Sequence, residues 1–184
     1  GRKQQTPQPL QPPAAETEQD PIKALVSTMS LDEKLGQMLI VGMEGYEAAE
    51  GTTQMIVDRK IGGLILYNRN IKNTTQLTDL VNELKAINAS NKLPLFLSID
   101  EEGGGTTRLP MTIRNLPASG DIGKINSKEF SYEVGKLLGE KVGSFGFNMN
   151  YAPVLDINSN PNNPVIGDRS FGSSAEVVTE LGVQ

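Results

Sequence analysis

Residues 94–110 read PLFLSIDEEGGGTTRLP, and the fold class turns on how that stretch ends. "PLFLSI" has the length and apolar character of a buried strand, and it runs straight into three consecutive carboxylates, Asp100, Glu101 and Glu102. Gly103, Gly104 and Gly105 follow, but the chain continues through Thr106, Thr107 and Arg108 to Pro110, so no helix opens at the glycines. A phosphate-binding glycine fingerprint needs that helix, and its absence removes the signature of an open doubly wound sheet. Three further apolar runs flank this one: "MLIVGM" (38–43), "GGLILY" (62–67) and "NMNYAPVLDI" (148–157). Between them lie stretches with helical spacing, carried by Leu77, Leu80, Val81, Leu84 and Ile87, then by Phe130, Val134, Leu137, Leu138 and Val142. Buried strands alternating with helices make a parallel sheet covered on both faces, so the class is α/β.

Polar residues gather where each run ends: Asn68 and Arg69, then Asp100, Glu101 and Glu102, then Asp156, Asn158 and Asn160. A (β/α)8 barrel carries its site on that rim. Four runs in 184 residues are half of such a barrel, whose closed form takes about 250 residues. The expectation is a partial (β/α)8 TIM barrel, roughly its N-terminal half. Two open strand edges then require the missing C-terminal half, a second chain or a packed copy.

Composition narrows the chemistry. With 17 basic and 22 acidic side chains the formal charge is -5, which disfavours nucleic acid and anionic membrane as partners. No Cys and no His occur, so thiol nucleophiles, thiolate metal sites and Ser-His arrangements are excluded. Hard-ligand spacing for Ca or Mg is missing around residues 100–102, and neither a metal nor a cofactor is expected. No apolar run reaches the roughly 20 residues of a membrane span. Residues 1–19, with Pro at 7, 9, 12 and 13 and Leu10 as the one large aliphatic residue, read as a disordered tether. That composition leads us to expect an exported or surface-tethered bacterial protein, with a cytoplasmic one as the alternative. Folded sequence starts at Asp20-Pro21, an N-cap followed by proline at the first helical position, with Ile22, Leu25, Val26 and Met29 as the apolar face. Ser30 to Glu33 opens a second helix bearing Leu35, Met38 and Leu39, and Ser173 to Glu176 opens a last one. The methionines are expected as core fillers, and Glu44, Glu47 and the Asn68–Asn70 turn as solvated loop.

Side chains alternate along a strand, so Asp100 and Glu102 should face one way and Glu101 the other. Asp100 is the candidate acceptor for sugar hydroxyls and Arg108, brought back by the glycines, the candidate planar donor. Glu102 supports them, and a plain strand-end ion pair is the competing reading. The loop "NYAPVLDINSNPNNPVIGDRSFG" (150–172) supplies Asp156, Asn158 and Arg169. Its Asn and Pro content fixes turns. Asp156 either touches ligand or ties loop amides, and Arg169 either touches ligand or holds the loop.

Four stretches, "LDEKLGQMLIVG" (31–42), "GGLILYNRN" (62–70), "SIDEEGGGTTRLP" (98–110) and "NYAPVLDINSNPNNPVIGDRSFGSS" (150–174), resemble the N-terminal domain of family 3 glycoside hydrolases, in particular the bacterial β-N-acetylhexosaminidase subgroup. The similarity runs from about residue 20 to the end of the chain. It implies retaining hydrolysis of terminal β-linked N-acetylglucosamine from cell-wall-derived or other glycans, with Asp100 as sugar-hydroxyl acceptor and Arg108 and Arg169 as substrate-binding arginines. Two positions depart from the subgroup: Gly105 where Arg or another large residue is common, and Glu101 where Gln is common. The subgroup's Lys-His loop, Asp-His acid/base pair and nucleophilic Asp have no counterpart in residues 1–184. The expectation is therefore a chain that supplies substrate-binding residues and no catalytic ones. A non-catalytic carbohydrate-binding or assembly piece, and a β-glucosidase or other exo-glycosidase of the same family, are the alternatives.

Overall fold

The computed structural model describes residues 20–110, 112 and 115–184. The expected tether at 1–19 and Met111 lie outside the described residues. The chain divides into two units, Gly1–Ser30 and Leu31–Gln184.

In the first unit, helix α1 (Pro21–Ser27) is capped as its sequence dictates. The Asp20 carboxylate accepts the Ile22 and Lys23 amides at 2.9 and 3.4 Å, and Pro21 occupies the first helical position. Its expected apolar face is not buried: Ile22 and Val26 are both exposed. A helix of about two turns offers too little surface to bury a stripe on its own.

The second unit runs α2 (Leu31–Gln37), β1 (Ile40–Gly42), α3 (Glu50–Val57), β2 (Gly63–Leu66), α4 (Thr74–Ile87), β3 (Phe96–Ile99), α5 (Ser119–Ile125), α6 (Lys128–Ser144), β4 (Met149–Asn150) and α7 (Ala175–Gly182). The strands form one parallel sheet in the order β1-β2-β3-β4, which leaves β1 and β4 as its edges. Each apolar run yields a strand, although the fourth contributes only Met149 and Asn150. Beyond them the chain leaves the sheet, with Leu155 and Ile157 exposed.

Register explains which face is dry. Leu64 pairs with Leu97 and Leu66 with Ile99, so these side chains share one face and are nearly sealed from water. They pack with Leu77, Leu80 and Leu84 of α4 and Val142 of α6. The opposite face carries Gly63, Ile65, Phe96 and Ser98, of which Phe96 is 52% exposed. The helices seal the first face, while on the second Phe96 is exposed and Ser98, further along the same strand, is buried. Helix starts follow their caps. Asn73 accepts the Gln76 amide at 2.9 Å to open α4, and Ser127 accepts the Phe130 amide at 3.2 Å to open α6. Helix α7 begins one residue later than the Ser173 box implies, with Ser174 at the N-cap and no side-chain capping bond.

Several expected fillers are not core. Met43 is buried and Met55 packs against the core, but Met38, Leu35 and Leu39 are exposed around the end of α2. Leu137 on α6 is half exposed, where it lines a surface hollow together with Phe130 and Val134.

Helix α5 lies hard against the loop that ends at Gly172: a Cβ on Gly123 would overlap the Phe171 carbonyl. Gly123→Ala should therefore destabilise the fold by about 1–3 kcal/mol, the usual cost of overpacking. A thermal melt would read this as a fall of several degrees, and an unchanged midpoint would refute the close packing.

Candidate substrate-binding site

The site is built at the C-terminal end of β3, where the ladder is prolonged by side chains. Asn150 on β4 turns its amide onto the next residue of the neighbouring strand, accepting from the Glu101 N–H and donating to the Glu101 carbonyl, both at 2.9 Å. Asn148 does the same lower down, with the Leu97 N–H at 2.8 Å and the Leu95 carbonyl at 2.9 Å. These two asparagines keep the backbone extended through Glu101, so the strand's alternation carries into the carboxylate triplet.

Glu101 consequently turns to the helix side and is fully buried. Its Oε1 accepts from Lys141 Nζ at 2.7 Å and from the Thr107 hydroxyl at 2.6 Å. Its Oε2 accepts the backbone N–H groups of Arg108 and Leu109 at 2.7 and 3.1 Å. Burial by itself pushes this carboxyl up; the Lys141 ammonium, the Thr107 hydroxyl and the two amides outweigh it and hold Glu101 below its ordinary 4.5. The intervening chain returns through a tight turn in which Gly103 and Gly104 have φ of 86° and 55°. A Cβ on either would also press on the 116–118 segment, so both positions require glycine. Gly105 has nothing within 4 Å of an added Cβ, which leaves room for the larger residue common in the subgroup.

Asp100 and Arg108 meet on the other side. Arg108 Nη2 stands 3.8 Å from Asp100 Oδ2, with about a quarter of each side chain exposed. Arg108 Nε is buried with no hydrogen-bond partner. This is a loose pair whose donors and acceptors are not saturated. Beside it, Glu102 and Arg169 are tightly paired: Nε and Nη2 of Arg169 reach the two Glu102 oxygens at 2.9 and 2.7 Å, and its Nη1 donates to the Val165 carbonyl at 3.4 Å. The bidentate pair joins the loop after β3 to the loop after β4, and Glu102 is nearly buried in it. The Glu102 hydrogen bonds raise the hold of Arg169 on its proton, and the nearby Asp100 and Asp156 carboxylates add to it.

Asp100, Glu102, Arg108, Arg169 and Asp156 thus form one cluster, whereas Asn158 lines a separate hollow of about 470 Å³ with Lys124, Asp168, Ser170 and Phe171. The Asp156 main-chain carbonyl accepts the Ser170 hydroxyl at 2.6 Å while its side chain stays exposed. Asn158 ties its N–H to the Gly172 carbonyl at 2.9 Å, and Asn160 and Asn163 form the expected Asx turns onto Asn162 and Val165. At the β2 end the solvated-turn reading needs correction. Asn70 is fully buried, receives the Tyr67 N–H, and donates to the Met43 and Gly45 carbonyls. Arg69 stacks over Tyr67 at 4.7 Å and pairs with Glu44 at 3.1 Å. Lys141, Asn150 and Asn70 are not singled out by the sequence pattern. A lysine seven residues after Val134, on the inward stripe of α6, is the one sequence sign of the first. Among the described residues no cluster of His, Cys, Asp or Glu suited to a metal occurs, and no helix is long and apolar enough to cross a membrane.

Because the folded protein holds Glu101 below 4.5, the unfolded chain takes up the proton first as pH falls. The stabilisation is complete above 4.5 and is lost as pH drops through the lower folded value. Thermal melts of the parent should decline steeply below pH 4.5 and those of Glu101→Gln less so. Parallel declines would show that Glu101 is not the titrating group.

Known proteins similar to this chain share its fold. The chain is 39% identical over 144 residues to β-hexosaminidase A of Pseudoalteromonas piscicida, covering 71% of this chain and 23% of that protein. It is 31% identical over 153 residues to a β-hexosaminidase of Neisseria meningitidis serogroup C, covering 79% of this chain and 41% of that protein. Among solved structures, a family 3 β-N-acetylglucosaminidase from Paenibacillus sp. FPU-7 superposes with a TM-score of 0.81 at 40% identity, over 84% of this chain and 30% of that one. NagZ from Neisseria gonorrhoeae in complex with N-trifluoroacetyl-D-glucosamine gives 0.71 at 31% identity, over 79% and 44%. The chain therefore spans less than half the length of these relatives, and its sheet is their part of a TIM barrel. The profile described as the glycosyl hydrolase family 3 N terminal domain matches residues 30–184, and the chain belongs to that family.

Proposed function

We propose that this chain is the sugar-gripping part of a retaining β-N-acetylhexosaminidase acting on terminal β-linked N-acetylglucosamine. The observation that carries the reading is the loose Asp100–Arg108 pair beside a bidentate Glu102–Arg169 pair on the strand-end rim. Asp100 accepts hydrogen bonds from sugar hydroxyls, and Arg108 donates to a sugar oxygen. Each contact orients the ring and excludes one water. Arg169, tied to Glu102, sets the position of the β4 loop and offers its remaining N–H groups to the same ligand.

Retaining hydrolysis needs a nucleophile and a proton donor about 5–5.5 Å apart on opposite sides of the scissile bond. Within the triplet, Glu101 is buried against Lys141 and both oxygens of Glu102 are engaged by Arg169, so neither is free for that work. In this proposal the nucleophile and the acid/base come from outside these residues, as does whatever covers the β1 and β4 edges. A catalytically silent carbohydrate-binding piece shares the same grip and differs in having no such groups anywhere in the protein.

Residues 1–184 alone should leave 4-nitrophenyl N-acetyl-β-D-glucosaminide intact; turnover by this piece that Glu102→Gln abolishes would overturn the assignment. In the full-length gene product, Arg108→Ala should lower kcat/KM by about 10–100-fold, the equivalent of losing roughly 1.5–3 kcal/mol of charged hydrogen bonding. A full-length product that binds N-acetylglucosamine without hydrolysing any glycoside would favour the binding piece.

A further inference from the structure

Lys141 makes none of the sugar contacts proposed above, yet its side chain is only 9% exposed, on the inward side of α6. Lysine on a helix normally runs its stem along the surface and keeps the ammonium in water. Here the ammonium is taken out of water to meet one atom, Glu101 Oε1, at 2.7 Å. The rest of that carboxylate is committed to three successive residues of one short segment. The Thr107 hydroxyl shares Oε1 at 2.6 Å, and the Arg108 and Leu109 amides converge on Oε2 at 2.7 and 3.1 Å. Glu101 is thus a bracket that grips the main chain of Arg108 from beneath, while the guanidinium on the other side stands 3.8 Å from Asp100.

The bracket works only while Glu101 is ionised. A protonated carboxyl turns one acceptor oxygen into a donor and a weaker acceptor, so the donors that converge on that oxygen, the two amides or Lys141 and the Thr107 hydroxyl, are held less firmly. Without a cation beside it, a fully buried carboxylate either takes up that proton or swings toward water, and both releases free residues 107–109. We infer that Lys141 is a positioning residue for sugar recognition: its ammonium keeps Glu101 charged and in place, and Glu101 in turn fixes Arg108 at Asp100. The inference rests on Arg108 being a sugar contact, as proposed above.

A double-mutant cycle in the full-length gene product tests it, with kcat and KM measured on 4-nitrophenyl N-acetyl-β-D-glucosaminide well below each variant's melting temperature. Arg108→Lys keeps the charge but loses the planar fork and reports on the sugar contact. Lys141→Met removes the cation and reports on the bracket. Lys141→Met is expected to lower kcat/KM on the order of tenfold, mainly through KM, as for loss of one hydrogen bond to a charged group. In the Arg108→Lys background the same change should add less than about twofold, because the group it positions is already impaired. A purely structural lysine behaves differently. It lowers the melting temperature with kcat/KM per folded enzyme unchanged, or its effect multiplies with that of Arg108→Lys, and either result overturns the inference. An Arg108→Lys variant with parental kcat/KM would instead sink the sugar-contact reading and the inference with it. Should Lys141→Met not fold, Lys141→Gln, which removes the cation but keeps a polar donor, goes through the same cycle: a loss absorbed by Arg108→Lys supports the inference, and an unchanged or multiplying effect overturns it.

Discussion

A carboxylate sealed from water between a sheet and a helix must be compensated, and the arrangement of this rim follows from how Glu101 meets that demand. Removing one partner of a buried ion pair typically costs about 3–5 kcal/mol, so the position of Lys141 and the path of residues 107–109 are not independent choices. Four donors reach the two oxygens of Glu101, from α6, from a hydroxyl and from two backbone amides. None of them comes from solvent. The turn at Gly103 and Gly104 exists to deliver three of these donors, and its positive φ angles are the conformational condition for doing so.

Strand alternation then divides the labour among three adjacent carboxylates. Glu101 goes to the helix side as scaffold. Glu102, on the other side, commits both oxygens to Arg169, 67 residues further along the chain, and so couples the loops after β3 and β4. Asp100 is left with one long contact to Arg108 and a quarter of its surface in water. Like charges placed in series would repel if all three faced a common space. Here the middle one is screened by its own cation, and the outer two are shared between two guanidinium groups. The rim offers a rigid frame with one unsaturated pair, which is the pattern of a preorganised polar contact rather than of a titrating catalytic dyad.

The parts of this design that sequence discloses are those fixed by periodicity. Four apolar runs at βα spacing give the four parallel strands, Asp20 gives the start of α1, and the period of two correctly separates Glu101 from its neighbours. What sequence does not disclose is pairing across distance. Lys141 looks like any helical lysine until α6 is packed on β3. Asn150 looks like a loop residue until its amide is seen to copy a ladder rung for Glu101. Asn70 reads as solvated for the same reason, since an asparagine that closes its own turn and donates to two carbonyls beyond another strand has the same letter as one in a solvated turn. Met38, Leu35 and Leu39 err in the opposite direction: hydrophobicity marks them for burial, but nothing in a linear pattern says which apolar side chains a given set of residues leaves uncovered.

The charge balance at the rim favours a neutral ligand. Asp100, Glu102 and Asp156 oppose Arg108 and Arg169, a balance of one negative charge in a protein that is itself at -5. An anionic ligand would add to that negative balance and compete with Asp100 and Glu102 for the two guanidinium groups. An uncharged ligand would leave both the Asp100–Arg108 pair and the Glu102–Arg169 clamp in place, and would meet the buried Arg108 Nε that has no partner of its own.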